Sequence, residues 1–146
     1  LQIPVIRTNR GGEATYHGPG QLIIYPVVAV TSVRKFVEHS LPTIAKAISE
    51  FGIQTEGKLD PAGVWTAEGQ KIAACGLKIV RKVTDHGFSV NIDNDLEVYR
   101  HFSPCGLSGE AVTSVKAATG RIFPVNQVAD RVVRLYTEML SEYSGS

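Results

Sequence analysis

GVWTAEGQKIAACGLKIVRKVTDHGFSVNI, residues 63–92, decides the fold class. Its β-rich runs GVWT (63–66), KIAACGLKIV (71–80) and HGFSVNI (86–92) are short and separated by polar turns, which predicts an antiparallel meander. Upstream, Val33, Phe36, Val37, Leu41, Ile44, Ile48 and Phe51 recur at helical spacing, with Thr31 or Ser32 as N-cap and Gly52 as the stop. Pro42 lies inside that helix and removes one backbone donor, so a kink or a restart near Ser40 is expected. Before it, residues 22–30 read as a buried strand that Pro26 forces to an edge or a bulge, and residues 1–8 have the β-branched content of another strand. Between those two, RGGEATYHGPGQ (10–21) holds four glycines and one proline and reads as a loop. Downstream, DLEVYRHF (95–102) has room for about two helical turns. SPCGLSG (103–109) is a loop, and Val125, Val128, Ala129, Val132, Leu135, Tyr136, Met139 and Tyr143 mark a second amphipathic helix. Strands and helices in this order predict an α+β fold, a mixed sheet with helices packed on one face, built as one domain over residues 1–146.

Composition narrows the function classes. The chain has 146 residues, 43% hydrophobic and 20% charged, too apolar for a disordered polymer. Fifteen Lys and Arg against fourteen Asp and Glu leave a net charge of +1, so no overall field steers it onto nucleic acid or an anionic membrane. The longest apolar stretch, residues 22–30, is far short of the roughly 20 residues that a spanning helix needs. The first nine residues lack the basic and apolar regions of a secretory signal, and two cysteines are too few for a disulfide framework or an all-Cys zinc site. The expected compartment is therefore a reducing one.

Cys105, between Pro104 and Gly106, is presented by a turn, where an activated thiol is a nucleophile and an ordinary one a small hydrophobe. Cys75 sits in a strand-like run after Ala73 and Ala74, and packing alone accounts for it. Lys71 opens the same run; it is either a solvated edge charge or, if buried beside a thiol, one half of an ammonium–thiolate pair. His17 and His86 are each able to serve Cys105 as a general base, which keeps a Cys–His hydrolase open. The glycine loop matches neither GxGxxG nor GxxxxGK[ST]; Gly11, Gly12, Gly18 and Gly20 instead let a ligand carbonyl approach main-chain N–H groups.

Taken together, RGGEATYHGPGQ (10–21), GQKIAACGLKI (69–79) and HGFSVNIDNDLEVYRHFSPCG (86–106) resemble the lipoyl(octanoyl) transferases, also called octanoyl-acyl carrier protein:protein N-octanoyltransferases. The resemblance implies a fold similar to the catalytic domain of biotin protein ligases and lipoate ligases. It also implies an acyltransferase in which Cys105 takes an octanoyl group from octanoyl-acyl carrier protein as a thioester and Lys71 is acid and base. The acceptor is then a lysine of a lipoyl domain in 2-oxoacid dehydrogenases or of the glycine cleavage H protein. Substrate-binding positions carry over as Arg10, Gly11, Gly12, Glu13, Ala14, Thr15, Tyr16 and His17, then Ala74, Cys75 and Gly76, then Gly87, Phe88 and Ser89. No metal, no cofactor, no nucleic acid and no membrane are implied. The expected compartment is the bacterial cytoplasm, with the mitochondrial matrix as alternative. Family members carry a further N-terminal βα region ahead of the segment equivalent to Leu1, so the expectation is a catalytic domain lacking it. Two alternatives remain: an ATP-dependent lipoate or biotin ligase, which has no use for a thiol at the PCG position, and a silent module that binds acyl carrier or lipoyl domains. Because acyl carrier protein is acidic, Arg34, Lys35, Arg81 and Lys82 are expected to form its docking patch.

Overall fold

A computed structural model of the chain describes residues 2–143, the side chains of Cys105 and Glu110 excepted. The described strands are β1 (Gln21–Ile24), β2 (Thr55–Leu59), β3 (Ala62–Thr66), β4 (Lys71–Cys75), β5 (Lys78–Val80), β6 (Val83–Asp85) and β7 (Phe88–Asn91). Five of them form one sheet in the order β1-β7-β4-β3-β2, every neighbouring pair antiparallel, while β5 and β6 form a separate ribbon. A parallel component enters through an isolated bridge between Lys71 and Val112. The expected meander is present as β3-β4-β7, every pair antiparallel, with the β5-β6 ribbon inserted between β4 and β7, and β2, which the expectation did not include, pairs with the outer side of β3. The run KIAACGLKIV is two strands rather than one, because at Gly76 the main chain turns to bond two other segments.

Two further strand expectations are corrected. Residues 2–9 are not strand: Val5 is 98% exposed, and the β-branched content there has no sheet face to pack on. The strand expected over 22–30 ends at Ile24, since Pro26 has no N–H to offer the ladder. Beyond it the chain transfers to the ribbon. There Val28 N–H donates to Thr84 Oγ1 at 2.9 Å, Thr84 N–H to the Val28 carbonyl at 2.9 Å and Val30 N–H to the Lys82 carbonyl at 2.8 Å.

The first amphipathic pattern is α1 (Val33–Ser49), capped by Ser32, whose Oγ accepts from Lys35 N–H at 3.3 Å. It runs uninterrupted through Pro42, contrary to the expected restart. Pro42 and Glu38 are both exposed, and the only helical bond lost is the one the Glu38 carbonyl would accept from residue 42. A short helix that the periodicity did not indicate, α2 (Val115–Thr119), is capped by Ser114, and the second long helix is α3 (Val125–Glu142). α1 and α3 pack against each other and on one face of the sheet. Phe36, Leu41, Ile44 and Ile48 of α1 and Val128 and Val132 of α3 are buried there with Val64, Ile72 and Val90 of the strands. Burial of this face is the main stabilising contribution, each such side chain adding about 1.5–3 kcal/mol. Arg131 of α3 clamps the end of α1 by pairing with Glu50, which holds that carboxyl below its ordinary value. Among the described residues no helix is long and apolar enough to cross a membrane.

Between β7 and α2 lies the segment that carries the PCG motif. In place of two helical turns it holds three single turns of tight helix, Glu97–Arg100, Pro104–Gly106 and Gly109–Ala111. A second apolar cluster underlies it: Val98, Tyr99 and Val112, with Tyr16, Leu96 and Phe102 packed around them. Tyr16 comes from the glycine loop, so this small core joins that loop to the PCG segment; its ring meets Tyr99 edge-on at 5.9 Å.

Candidate active site

Strand alternation sorts β7 into two faces, while in β4 the register shift opposite Val64 and Trp65 puts both Ile72 and Ala73 in the core. Ala73 and Val90, which pair with each other, belong to the helix-covered core; Ala74 and Ser89, the next pair, line a depression on the opposite side. That depression has two parts of about 350 and 330 Å³, and both are lined by Thr15, Ala74 and Ser89. The first continues over Cys75, Gly76, Gly87 and Phe88, with Arg10, His17, Tyr25 and His86 around it. The second continues over Lys71, Asn91, Tyr99, Pro104 and Val112.

Backbone bonds join the sequence motifs. Gly11 N–H donates to the Gly76 carbonyl at 3.1 Å, and Gly76 N–H donates to the Gly87 carbonyl at 2.8 Å. One glycine from each of the three motifs thus forms a continuous ladder. Close approach explains the residue type at Gly11, where a Cβ would lie 2.7 Å from the Leu77 carbonyl oxygen.

Lys71 is the best-defined of the candidate site side chains. It is 7% exposed, so the solvated-edge reading does not describe it. A bulge between Val64 and Trp65 shifts the register of β3 on β4 and sets Trp65 opposite Lys71. The ammonium lies 5.5 Å from the Trp65 ring centroid, and the indole is fixed by donating Nε1–H to the Pro61 carbonyl at 3.1 Å. On the same strand Gly63 makes room for the lysine stem: a Cβ there would stand 2.5 Å from Lys71 Cε. The Lys71 carbonyl accepts from Thr113 N–H at 2.9 Å, which pins the far end of the PCG segment beside the lysine.

Cys105 forms the centre of the turn Pro104–Gly106, and its side chain lies outside the described residues. Pro104, its neighbour, is buried and lines the same part of the depression as Lys71. Neither candidate histidine lines that part. His17 Nδ1 bonds Gln21 Oε1 at 2.8 Å, and His86 Nε2 bonds Asn9 Oδ1 at 2.9 Å with Tyr25 edge-on to its ring.

Of the other residues singled out from the sequence, Arg10, Thr15, His17, Ala74, Cys75, Gly76, Gly87, Phe88 and Ser89 line the first part of the depression. Gly11 is in the glycine ladder, and Gly12 takes φ +83° at the turn that follows it. Arg10 bends back to donate to the Gly11 carbonyl at 2.8 Å and to the Glu13 carbonyl, so Glu13 contributes main chain to that turn. Ala14 is exposed at the outer bend of the loop, and Tyr16 serves the second apolar cluster. Cys75 is half-buried and packs against the core while lining the depression. Beneath it in the core is Tyr136, whose hydroxyl is pushed well above its ordinary value by burial, against a bond to Ser40. Sequence reasoning missed Tyr25, Asn91, Tyr99 and Trp65; only the position of Asn91 beside Ser89 and Val90 at the end of β7 gave a signal. In the expected basic patch, Arg34 is paired with Glu38 at 3.0 Å, while Arg81 and Lys82 are exposed at the tip of the β5-β6 ribbon. Among the described residues no cluster of His, Cys, Asp and Glu suits a metal ion.

Comparison with known proteins places this geometry. The family model of the lipoyl protein ligase A/B catalytic domain matches residues 1–137. The octanoyltransferase of Mycolicibacterium smegmatis is 38% identical over 145 residues, 94% of this chain and 64% of the relative. The octanoyltransferase of Gloeobacter violaceus is 43% identical over 122 residues, 81% of this chain and 54% of the relative. The chain spans roughly three-fifths of the length of the curated relatives it matches. A lipoate-protein ligase A bound with ATP superposes with TM-score 0.73 at 15% identity, over 90% of this chain and 57% of that one. A biotin protein ligase from Aquifex aeolicus gives 0.69 at 15% identity, over 84% and 54%. These two share the α+β fold. With the family model spanning nearly the whole chain and the glycine loop, β4 and the PCG segment gathered around one depression, the chain belongs to the lipoyl protein ligase A/B catalytic-domain family.

Proposed function

We propose that residues 1–146 act as a catalytic domain for octanoyl transfer from octanoyl-acyl carrier protein to a lysine of a lipoyl domain, through a thioester on Cys105. The observation that carries this reading is Lys71, buried in the part of the depression lined by Pro104, the residue before Cys105. A buried ammonium has lost most of its water, and a thiolate next to it replaces that solvation. In the first half-reaction the Cys105 thiolate attacks the thioester carbonyl. The C–S bond to the carrier breaks, and the departing pantetheine thiolate takes a proton from the Lys71 ammonium. In the second, neutral Lys71 accepts a proton from the attacking lysine amine as the amide forms, and Cys105 leaves as thiolate. The apolar floor at Cys75 and Phe88 suits the octanoyl chain, and the N–H groups of the glycine loop suit the carbonyl oxygen. The relatives' name, octanoyltransferase, supports the same substrate.

Intact mass spectrometry after mixing the protein with octanoyl-acyl carrier protein tests the reading, beside Cys105→Ala and Lys71→Ala. A single octanoyl adduct released by hydroxylamine is expected, absent from Cys105→Ala and formed roughly 10²- to 10⁴-fold more slowly by Lys71→Ala. An adduct that survives in Cys105→Ala, or one that forms from free octanoate only with ATP, overturns it.

A further inference from the structure

Asn91 is 6% exposed at the end of β7 and is the meeting point of the three segments that build the site. Its Oδ1 accepts from Gln21 Nε2 at 2.9 Å, from Asn94 Nδ2 at 3.1 Å and from Tyr99 OH at 3.2 Å, while its Nδ2 donates to the Thr113 carbonyl at 3.1 Å. Gln21 closes the glycine loop and holds His17. Tyr99 lies six residues before Cys105 and Thr113 eight after it, so both stems of the PCG segment hang on one side chain. Thr113 is in turn bonded through its N–H to the Lys71 carbonyl. An amide alone fits this position: aspartate has no donor for the Thr113 carbonyl, and leucine of similar volume has neither donor nor acceptor.

We infer that Asn91 is a positioning residue that sets the Cys105 turn in register with Lys71, so that losing its amide uncouples the thiol from the lysine while the fold persists. The inference rests on the Cys105–Lys71 reading of the site. Anchoring both ends of a segment leaves its middle little freedom, and misplacing a reacting group by about 1 Å costs up to roughly 10²-fold in rate. A network that merely stabilised the core would lower the melting temperature of a variant and leave the thiol's titration where it was.

The test is the pH dependence of iodoacetamide alkylation at Cys105, resolved from Cys75 by peptide mass spectrometry, in wild type, Lys71→Ala, Asn91→Leu and Tyr99→Phe. The alkylation midpoint in wild type is expected below the ordinary thiol value of about 8.5. It should move toward that value in Lys71→Ala and in Asn91→Leu, with octanoyl adduct formation by Asn91→Leu roughly 10- to 100-fold slower. Tyr99→Phe removes a single oxygen and should move the midpoint the same way by less, which carries the test if Asn91→Leu does not fold. A folded Asn91→Leu with the wild-type profile, or a folded Tyr99→Phe with that profile where Asn91→Leu is unfolded, overturns the positioning role. If wild type and Lys71→Ala share one profile, the lysine–thiol pairing itself fails and the role of Asn91 falls with it.

Discussion

Substituting Gly63 by alanine adds one methyl group at a point the structure leaves no room for. The new Cβ would lie 2.5 Å from Lys71 Cε, 2.6 Å from the Ala73 carbonyl oxygen and 3.4 Å from Lys71 Nζ. Carbon atoms in contact sit about 3.5–4.0 Å apart, so the lysine stem must retreat by about 1 Å or more. Ala73 O belongs to the strand paired with β3, Gly63 standing opposite Ala74, and cannot retreat without opening that pair. Overpacking of this kind costs about 1–3 kcal/mol. At about 2–4 °C per kcal/mol for a domain of this size, the melting temperature should fall by roughly 2–12 °C. Because the displaced atom carries the ammonium, Cys105 acylation should slow by up to roughly 10²-fold, although no group of the proposed chemistry has been changed. Gly69→Ala is the control. Its Cβ meets nothing within 4 Å, but φ is +82°, so it should cost about 1–2 kcal/mol of backbone strain and leave acylation at the wild-type rate. Thermal unfolding and the rate of adduct formation read out both variants. A Gly63→Ala protein that melts with wild type and acylates at full rate would refute the reasoning, and so would a Gly69→Ala protein with equally slow chemistry.

Tyr136 provides a pH signature of the core. The single proton of the Ser40 hydroxyl goes to the Phe36 carbonyl at 2.8 Å, so Tyr136 donates to Ser40 Oγ at 2.7 Å, and burial holds its hydroxyl protonated to well above the ordinary value. As pH rises past the unfolded value of about 10, the unfolded chain releases this proton first and stability falls by up to about 1.4 kcal/mol per pH unit. Tyr136→Phe should cost about 0.5–1.5 kcal/mol at neutral pH and make the alkaline decline shallower in urea titrations between pH 9 and 11, a window set by the unfolded value of about 10; equal slopes would count against the assignment. His17→Ala and His86→Ala should leave the alkylation profile of Cys105 unchanged, since neither ring lines the part of the depression shared by Lys71 and Pro104. A midpoint moved by either variant would restore the Cys–His hydrolase.

Where the sequence carried a period or a punctuating residue, the structure is legible in it. The apolar stripe from Val33 to Ile48 and the stripe beginning at Val125 are the two long helices, and the β-rich runs around Trp65, Ala73 and Val90 are the central strands. What failed depended on neighbours. β-branched residues at Val5 and Ile6 have strand propensity and no sheet beside them. β2 is TEGKL, with no apolar alternation to announce it, because it is an edge strand paired only with β3. α2 owes its existence to the Ser114 cap and a five-residue length below any periodic signal. In the site, the glycine loop and the PCG turn were visible as composition. Trp65 was not, and Asn91 showed only through its place after Val90, since a buried amide and a tryptophan in a strand look like any others until their partners are known.

Lys71 shows how these two kinds of information combine. At the start of a strand, a lysine on sequence alone is a charge that keeps an edge from pairing. Here the strand is internal, between β3 and β7. The bulge at Val64 and Trp65 turns an indole face toward the ammonium, and the absence of a side chain at Gly63 lets the stem lie flat against β3. The wall formed by these two residues excludes water from one side without presenting an anion. On the cleft side, Pro104 leads into the Cys105 turn. The wall and the turn are built from segments about forty residues apart in the chain, and Thr113, bonded to Lys71 through its N–H and to Asn91 through its carbonyl, is what brings them to one place. On the proposed reading, a site assembled this way is sensitive to the residues that position its reacting groups, so Gly63 and Asn91 join Cys105 and Lys71 as positions where substitution should slow acylation.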